Sequence, residues 1–374
     1  MSALYIHIPF CKQACHYCDF HFSTSLGLKS AMVTAICREI ELQAQYLASS
    51  QLQSVYFGGG TPSLLSEQEL MQIFEQIDKV FSISADTEIT LEANPDDLSE
   101  EKIKLFRQSP INRFSVGIQS FREEHLRKLH RAHSAQEAEA CVKKLQDAGF
   151  QNLTIDLIYA IPADNHDIWE QDLQKAIALQ VPHISAYSLT IEPNTVFGKW
   201  LEKGKIPPID DDFAARQFEI LVERLTGAGF LHYEISNFCK EGQHSKHNSN
   251  YWAKGEYLGI GPSAHSYNLV SRQFNISHNP RYIEALQAGK IPATREQLSP
   301  EDQANEYMLT SLRTMWGCDT KRWEALAQRP FASQAAVLQK HLERKNLLHE
   351  GNMLRLSAQG KLLADAIAAD FFIL

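Results

Sequence analysis

Three cysteines stand close together near the start of the chain, in Cys11-Lys-Gln-Ala-Cys15-His-Tyr-Cys18. Thiolates are the ligands of choice for soft metals and iron-sulfur clusters. A structural zinc site takes four protein ligands in a tetrahedron, and zinc ribbons supply them as two separated C-x2-C pairs. Only three are clustered here, so an iron-sulfur cluster held by them keeps one iron open to a small molecule. A zinc site or an incidental cysteine cluster is the alternative for the same residues.

Other positions offer chemistry of a different kind. In Phe57-Gly58-Gly59-Gly60-Thr61-Pro62 the glycines let the backbone approach a ligand and expose N–H and C=O groups to it, unless the segment is only a tight turn. Glu92, in Leu91-Glu92-Ala93-Asn94-Pro95, brings a carboxylate suited to the cationic end of an amino-acid ligand. Gln119, in Val116-Gly117-Ile118-Gln119-Ser120, can bond hydroxyls or a carboxylate, and Arg131, in LHRAHS, can clamp a planar anion. Asp156 interrupts the apolar run TIDLIYAIP, where an unpaired carboxylate is expensive. Its partner is either a backbone or arginine donor, or a ligand hydroxyl.

These residues need a scaffold, and the first part of the chain supplies a repeating one. Short β-branched or aromatic runs alternate with amphipathic stretches, the mark of βα units around a parallel sheet. Six strands are expected, at residues 3–8, 53–57, 88–92, 112–116, 153–158 and 183–189. Helices are expected at residues 29–47, 67–80, 100–108, 135–148, 167–179 and 213–227. Ser66 and Glu69 form a capping box, Ser99 is an N-cap and Gly149 follows a helix end. Six units are too few for a closed eight-stranded barrel, so the fold class is α/β, a partial (β/α)6 TIM-like barrel. Its functional groups should lie at the C-terminal strand ends, where the candidate residues fall. Residues 1–230 make this barrel, residues 231–291 extend it, and residues 292–374 turn helical around a short hairpin in a winged-helix-like order.

The composition excludes several classes. With 374 residues, 44% hydrophobic and 22% charged, the chain suits about two globular domains. A net charge of -9 argues against a nucleic-acid binder. The N-terminal MSALYIHIPF has no basic n-region, and no apolar run is long enough to span a bilayer. Seven cysteines, with Cys37, Cys141, Cys239 and Cys318 scattered, suit a reducing cytoplasm better than a disulfide framework.

Taken in order, the cysteine motif, GGGTP, EANP, VGIQS, LHRAHS and DLIYAIP resemble one branch of the radical S-adenosylmethionine (SAM) superfamily. That branch holds the oxygen-independent coproporphyrinogen III oxidases and the HemW-like haem chaperones. The resemblance runs over essentially the whole chain. It implies a 4Fe-4S cluster on Cys11, Cys15 and Cys18, with SAM on the open iron. It also implies SAM contacts at Tyr5, Gly59, Gly60, Thr61, Glu92, Gln119, Arg131 and Asp156, with Tyr17 packing near the adenine.

Two departures separate the branches. The oxidase pattern continues with a fourth cysteine two residues after the third, where this chain has Phe20, and it places an extra segment ahead of the cluster, where here Cys11 follows only ten residues. His247-Asn248-Ser249-Asn250-Tyr251-Trp252 matches the HNxxYW motif of the chaperone branch. Imidazole ligates haem iron well, and flat rings can cover a macrocycle, although a packed aromatic turn is the alternative. His247, Tyr251 and Trp252 are the expected haem contacts, with His244, His265 and Cys239 as further candidate iron ligands. The resemblance thus implies a cytoplasmic chaperone that carries haem as cargo to apo-haemoproteins such as respiratory enzymes. A homodimer and at most peripheral membrane contact go with it. The alternative is a radical enzyme that decarboxylates coproporphyrinogen III through a 5'-deoxyadenosyl radical.

Overall fold

The computed structural model describes residues 2–373. The expected strands form β1 (Ser2–Ile8), β2 (Leu52–Gly59), β3 (Glu88–Ala93), β4 (Arg113–Gln119), β5 (Leu153–Tyr159) and β6 (His183–Ser188). Each pairs in parallel with the next. Helices return the chain between most of them, and the capping box at Ser66 and the N-cap at Ser99 both form as the sequence indicates. Two short helices, Glu123–Leu129 and Val196–Glu202, were not legible in the sequence pattern.

Alternation along each strand decides what the sheet encloses. Phe114, Val116 and Ile118 of β4, and Leu153, Ile155 and Leu157 of β5, join the apolar core under the helices. The intervening Ser115, Gly117, Gln119, Asp156 and Ile158 line a cavity on the other face. Successive side chains of a strand point to opposite faces. A parallel sheet covered on both sides is normally apolar on both, so the polar inner face marks a partial barrel built around a ligand space.

The expected extension lies on both edges of the barrel. Strands β7 (Leu231–Glu234) and β8 (Asn237–Cys239) run antiparallel beyond β6, whereas β9 (Glu256–Ile260) is a seventh parallel strand beside β1. Beyond β9 come β10 (His265–Tyr267), β11 (Ser271–Asn275) and β12 (Ala293–Gln297), which complete a twelve-stranded sheet. The sheet therefore continues past residue 292, where the chain was expected to turn helical. The HNSNYW segment, expected as a turn, is the short crossover helix Lys246–Trp252 ahead of β9. Its first turn is fixed from a distance: the backbone N–H groups of Lys246 and His247 donate to the Glu88 carboxylate, 3.1 Å each.

The remaining unit begins at the Ser299 N-cap. It has helices Pro300–Leu312, Thr320–Ala327, Ala335–Glu343 and Ala364–Asp370, with a small antiparallel sheet of β13 (Cys318–Asp319), β14 (Leu347–Glu350) and β15 (Met353–Leu356). Trp323, Phe371 and Leu354 are fully buried at its centre. This is the winged-helix-like arrangement. Residues 313–315 leave the first helix to pair with β7: Ile235 N–H donates to the Arg313 carbonyl (3.0 Å) and Met315 N–H to that of Tyr233 (2.9 Å).

Gly60 ties the cysteine loop to this frame. Its N–H donates to the Ile8 carbonyl (3.0 Å), and Thr61 N–H to that of Phe10 (2.7 Å). A Cβ at Gly60 would lie 2.7 Å from the Phe10 carbonyl oxygen and 2.8 Å from that of Ile8. Gly60→Ala is therefore expected to cost about 1–3 kcal/mol as an overpacking change. Urea unfolding should show a lower midpoint at unchanged slope, and an unaltered midpoint would refute the contact.

Candidate functional site

A cavity of about 520 Å³ opens at the C-terminal ends of the parallel strands. Cys11, Cys15 and Cys18 line it, together with Tyr17, Gly59, Gly60, Thr61, Glu92, Gln119, Arg131 and Asp156. The structure thus brings together all the expected cluster and SAM residues except Tyr5. That side chain packs on Tyr56 at 6.1 Å between ring centroids and bonds His7 Nδ1 through its hydroxyl (3.1 Å), behind the cavity wall.

On the cysteine side, hydrogen bonds reach the sulfurs. Thr61 Oγ1 donates to Cys11 Sγ (3.4 Å), and Arg131 Nη1 donates to Cys15 Sγ (3.3 Å) and to the Tyr17 hydroxyl (3.4 Å). Arg131 Nη2 donates to the Gly117 carbonyl (2.9 Å) and to Asn94 Oδ1, while Asn94 Nδ2 donates to Thr61 Oγ1 (3.1 Å). Asn94 was present in the EANP motif, but its linking role was not legible there. Burial pushes the Cys18 thiol up to about 12 and raises that of Cys11, against the Thr61 hydrogen bond. Bare thiolates are thus disfavoured, and a bound cation would stabilise them.

Across the cavity stand two half-buried carboxyls. Glu92 accepts from the Tyr56 hydroxyl (2.7 Å) and the Gly59 N–H (3.2 Å), and burial lifts its pKa to about 7. Asp156 accepts from Ser115 Oγ at 3.1 and 3.2 Å, and burial lifts it to about 6. Gln119 sits where β4 breaks register with β5, with φ +67°. A non-glycine residue held in this left-handed region stores strain, a common property of binding sites.

Three thiols, two of them with hydrogen bonds to their sulfurs, one cation and two carboxyls form a donor set that fits a cluster with an open iron and a zwitterionic ligand. Among the described residues, no three His, Cys, Asp or Glu side chains converge as ligands of one metal ion. A cluster, with iron at its corners, accepts ligands spread further apart.

A second cavity, of about 470 Å³, shares Tyr187 and Asn248 with the first. Tyr251 and Trp252 line it, together with Tyr257, Tyr267, Arg272 and Arg313. His247, an expected haem contact, lines neither cavity. Its Nδ1 is 2.9 Å from Ser54 Oγ, its Nε2 is 3.3 Å from the Tyr251 hydroxyl, and its ring stacks on Tyr56 at 4.8 Å. Burial lowers its pKa to about 3, so it stays a neutral, fully engaged imidazole. Cys239 is completely buried, while His265 is exposed on β10 and His244 packs on Tyr233; none of them lines either cavity.

Comparison with known proteins adds the lineage. Residues 5–176 match the radical SAM superfamily. The chain is 34% identical to the haem chaperone HemW of Bacillus subtilis, with 99% of each chain covered. It is also 34% identical to HemW of Escherichia coli, over 84% of this chain and 82% of that one. The chain belongs to the HemW family of radical SAM proteins. Membership implies a 4Fe-4S cluster and SAM. The solved structure of coproporphyrinogen III oxidase from Escherichia coli superposes with a TM-score of 0.86 at 20% identity, covering 99% of this chain and 90% of that one. This likeness establishes the fold. No helix of the described residues is long and apolar enough to cross a membrane.

The Glu92 carboxyl supplies a pH test. It ionises later in the folded protein, at about 7, than in the unfolded chain, at about 4.3. Its cost is absent below the unfolded value, grows as pH rises, and is complete above about 7, where it amounts to about 2 kcal/mol after screening by cavity water. Glu92→Gln should therefore raise the melting temperature by a few degrees at about pH 8 and leave it unchanged at about pH 4. An equal change at both pH values would refute the assignment.

Proposed function

We propose that this chain is a cytoplasmic haem chaperone, which binds haem beside a SAM-associated 4Fe-4S cluster and delivers it to apo-haemoproteins such as respiratory enzymes. The observation that carries this reading is the similarity to HemW from Bacillus subtilis over 99% of both chains. Phe20, at the position of the fourth oxidase cysteine and 70% exposed, points the same way.

Cys11, Cys15 and Cys18 hold the cluster, which when bound offers its open iron to the amino and carboxylate groups of SAM. Thr61 and Arg131 donate to the sulfurs of Cys11 and Cys15. Hydrogen bonds to cluster sulfurs withdraw electron density and raise the reduction potential. Glu92, held by Tyr56 and Gly59, would accept from the N–H of that amino group. Gln119 and Asp156 would bond ribose hydroxyls, and Tyr17 would pack near the adenine. Haem belongs in the second cavity, against Tyr251 and Trp252. His247 holds Tyr56 and Tyr251 in place from behind.

Anaerobic reconstitution with iron and sulfide, followed by haem titration and by incubation with coproporphyrinogen III, SAM and a reductant, tests this. A saturable Soret change without protoporphyrinogen is the expected result. Stoichiometric protoporphyrinogen with 5'-deoxyadenosine would establish the oxidase instead, and a colourless zinc protein would refute both. Cys15→Ala should abolish the brown cluster absorbance. Trp252→Ala should spare that absorbance and weaken haem binding by about tenfold, as expected for loss of a stacked ring and its N–H.

A further inference from the structure

From Cys11 to Cys18 the cysteine loop forms neither helix nor strand. Within it the Cys18 N–H donates to the Cys15 carbonyl at a long 3.3 Å. A segment with so little backbone pairing of its own is ordered by what packs on it. What packs on this one centres on His16, the residue directly after Cys15, and on His130 at the end of the helix Glu123–Leu129.

We propose that His16 and His130 form a clasp that shapes the loop for the cluster, which makes them positioning residues for Cys15 and Cys18; the proposal rests on the cluster reading above. The two imidazoles stack in parallel, with ring centroids 4.4 Å apart and planes within 2°. Each ring reaches across to the other's segment. His16 Nδ1–H donates to the Lys128 carbonyl (3.2 Å), and His130 Nδ1–H donates to that of Ala14 (2.7 Å). The backbone repeats the pattern, because His16 N–H donates to the Leu129 carbonyl (3.1 Å) and Gln13 Nε2 to that of His130 (2.8 Å). On its other side His16 meets the helix Val196–Glu202. Its carbonyl accepts from Phe197 N–H (3.0 Å), and the Trp200 ring meets its own edge-on at 4.8 Å. None of these contacts uses a thiol, so the loop is held without drawing on the groups a cluster needs. Order supplied by the fold in this way spares the ordering cost that binding would otherwise carry.

The clasp also bears on a bond to sulfur. Arg131 follows His130, and its N–H donates to the Leu126 carbonyl (2.9 Å), so the helix end that carries the imidazole also aims the guanidinium. That guanidinium donates to Cys15 Sγ at 3.3 Å. A loop that slips against this helix end lengthens the sulfur bond first, since it is long already. The backbone at His130 has φ +58°, in the left-handed region where helix ends favour glycine. Stacking on His16 and the bond to Ala14 offset the strain of keeping a side chain there.

The test uses the full-length protein, reconstituted anaerobically with iron and sulfide. Iron release to a ferrous chelator is followed by absorbance, and the cluster's reduction potential is measured by redox titration. His16→Ala and His130→Gly should each release iron about tenfold faster than the parent, the scale of a lost hydrogen bond and ring stack. Both should also lower the potential, because a loosened Arg131 bond withdraws less electron density from the Cys15 sulfur. Glycine suits the left-handed position, so His130→Gly should melt close to the parent and separates the clasp from general stability. His16→Asn keeps a donor near the place of Nδ1 and should recover part of both losses. Parental release and potential in both His16→Ala and His130→Gly would overturn the clasp while leaving the cluster reading intact. Faster release at an unaltered potential would also overturn it, since a merely structural pair loosens the loop without touching the Cys15 bond. A parent chain that takes up no iron and sulfide would overturn the cluster reading itself, and the clasp with it.

Discussion

The part-buried guanidinium of Arg131 joins the cysteine loop to the ends of the parallel strands. One of its terminal nitrogens reaches Cys15 and Tyr17, and the other reaches Asn94 and the Gly117 carbonyl. Asn94 in turn holds Thr61, which donates to Cys11. A single cation thus links β3, β4, the GGGTP turn and two of the three cysteines. Burial opposes its charge, while Tyr17 and Cys15 beside it favour the charged form. Its Nε is buried and unpaired among the described residues. Such a group is tolerated when negative charge is near, and ligated thiolates supply that charge. Lysine, a point charge without the planar fork, could not span the same partners.

The opposite wall is complementary in sign. Burial lifts Glu92 to about 7 and Asp156 to about 6, so each ionises at a cost it would not have in water. A ligand with an amino group removes that cost by pairing with the ionised form. Cation beside the thiols and acids across from them make a cavity whose internal field suits a zwitterion lying between the two walls. The strain at Gln119, at the broken register of β4 and β5, aims a polar side chain into the same space.

Much of this was legible because it depends on local signals. Strand periodicity, helix caps and the order of short motifs recovered the six barrel strands and the residues at their C-terminal ends. What escaped depends on long-range partners. The run Glu256–Ile260 was not placed as a strand, and its parallel pairing with Ser2–Ile6 of β1, on the side away from β2, makes it one. The HNSNYW segment lacks helical periodicity of its own, and becomes a helix because Glu88, distant in sequence, satisfies its first N–H groups. His247 looked like a ligand by type, yet Ser54, Tyr56 and Tyr251 enclose it. Tyr5 was expected beside SAM, and its ring packs on Tyr56, which does line the cavity. Residue type announces chemistry, whereas the face on which a residue lands decides whether that chemistry meets a ligand.

The two cavities differ in how firmly their walls are joined. The first is enclosed by consecutive parallel strands, each paired to the next along much of its length. The second lies at the seam with the C-terminal unit, closed by the backbone bonds of Arg313 and Met315 to the β7 region and by the Lys254 and Arg272 pairs to Glu306. A few backbone bonds and two ion pairs that share Glu306, one of them to the nearly fully buried Lys254, join the seam, against the continuous ladders between the barrel strands. Tyr187 and Asn248 belong to both linings.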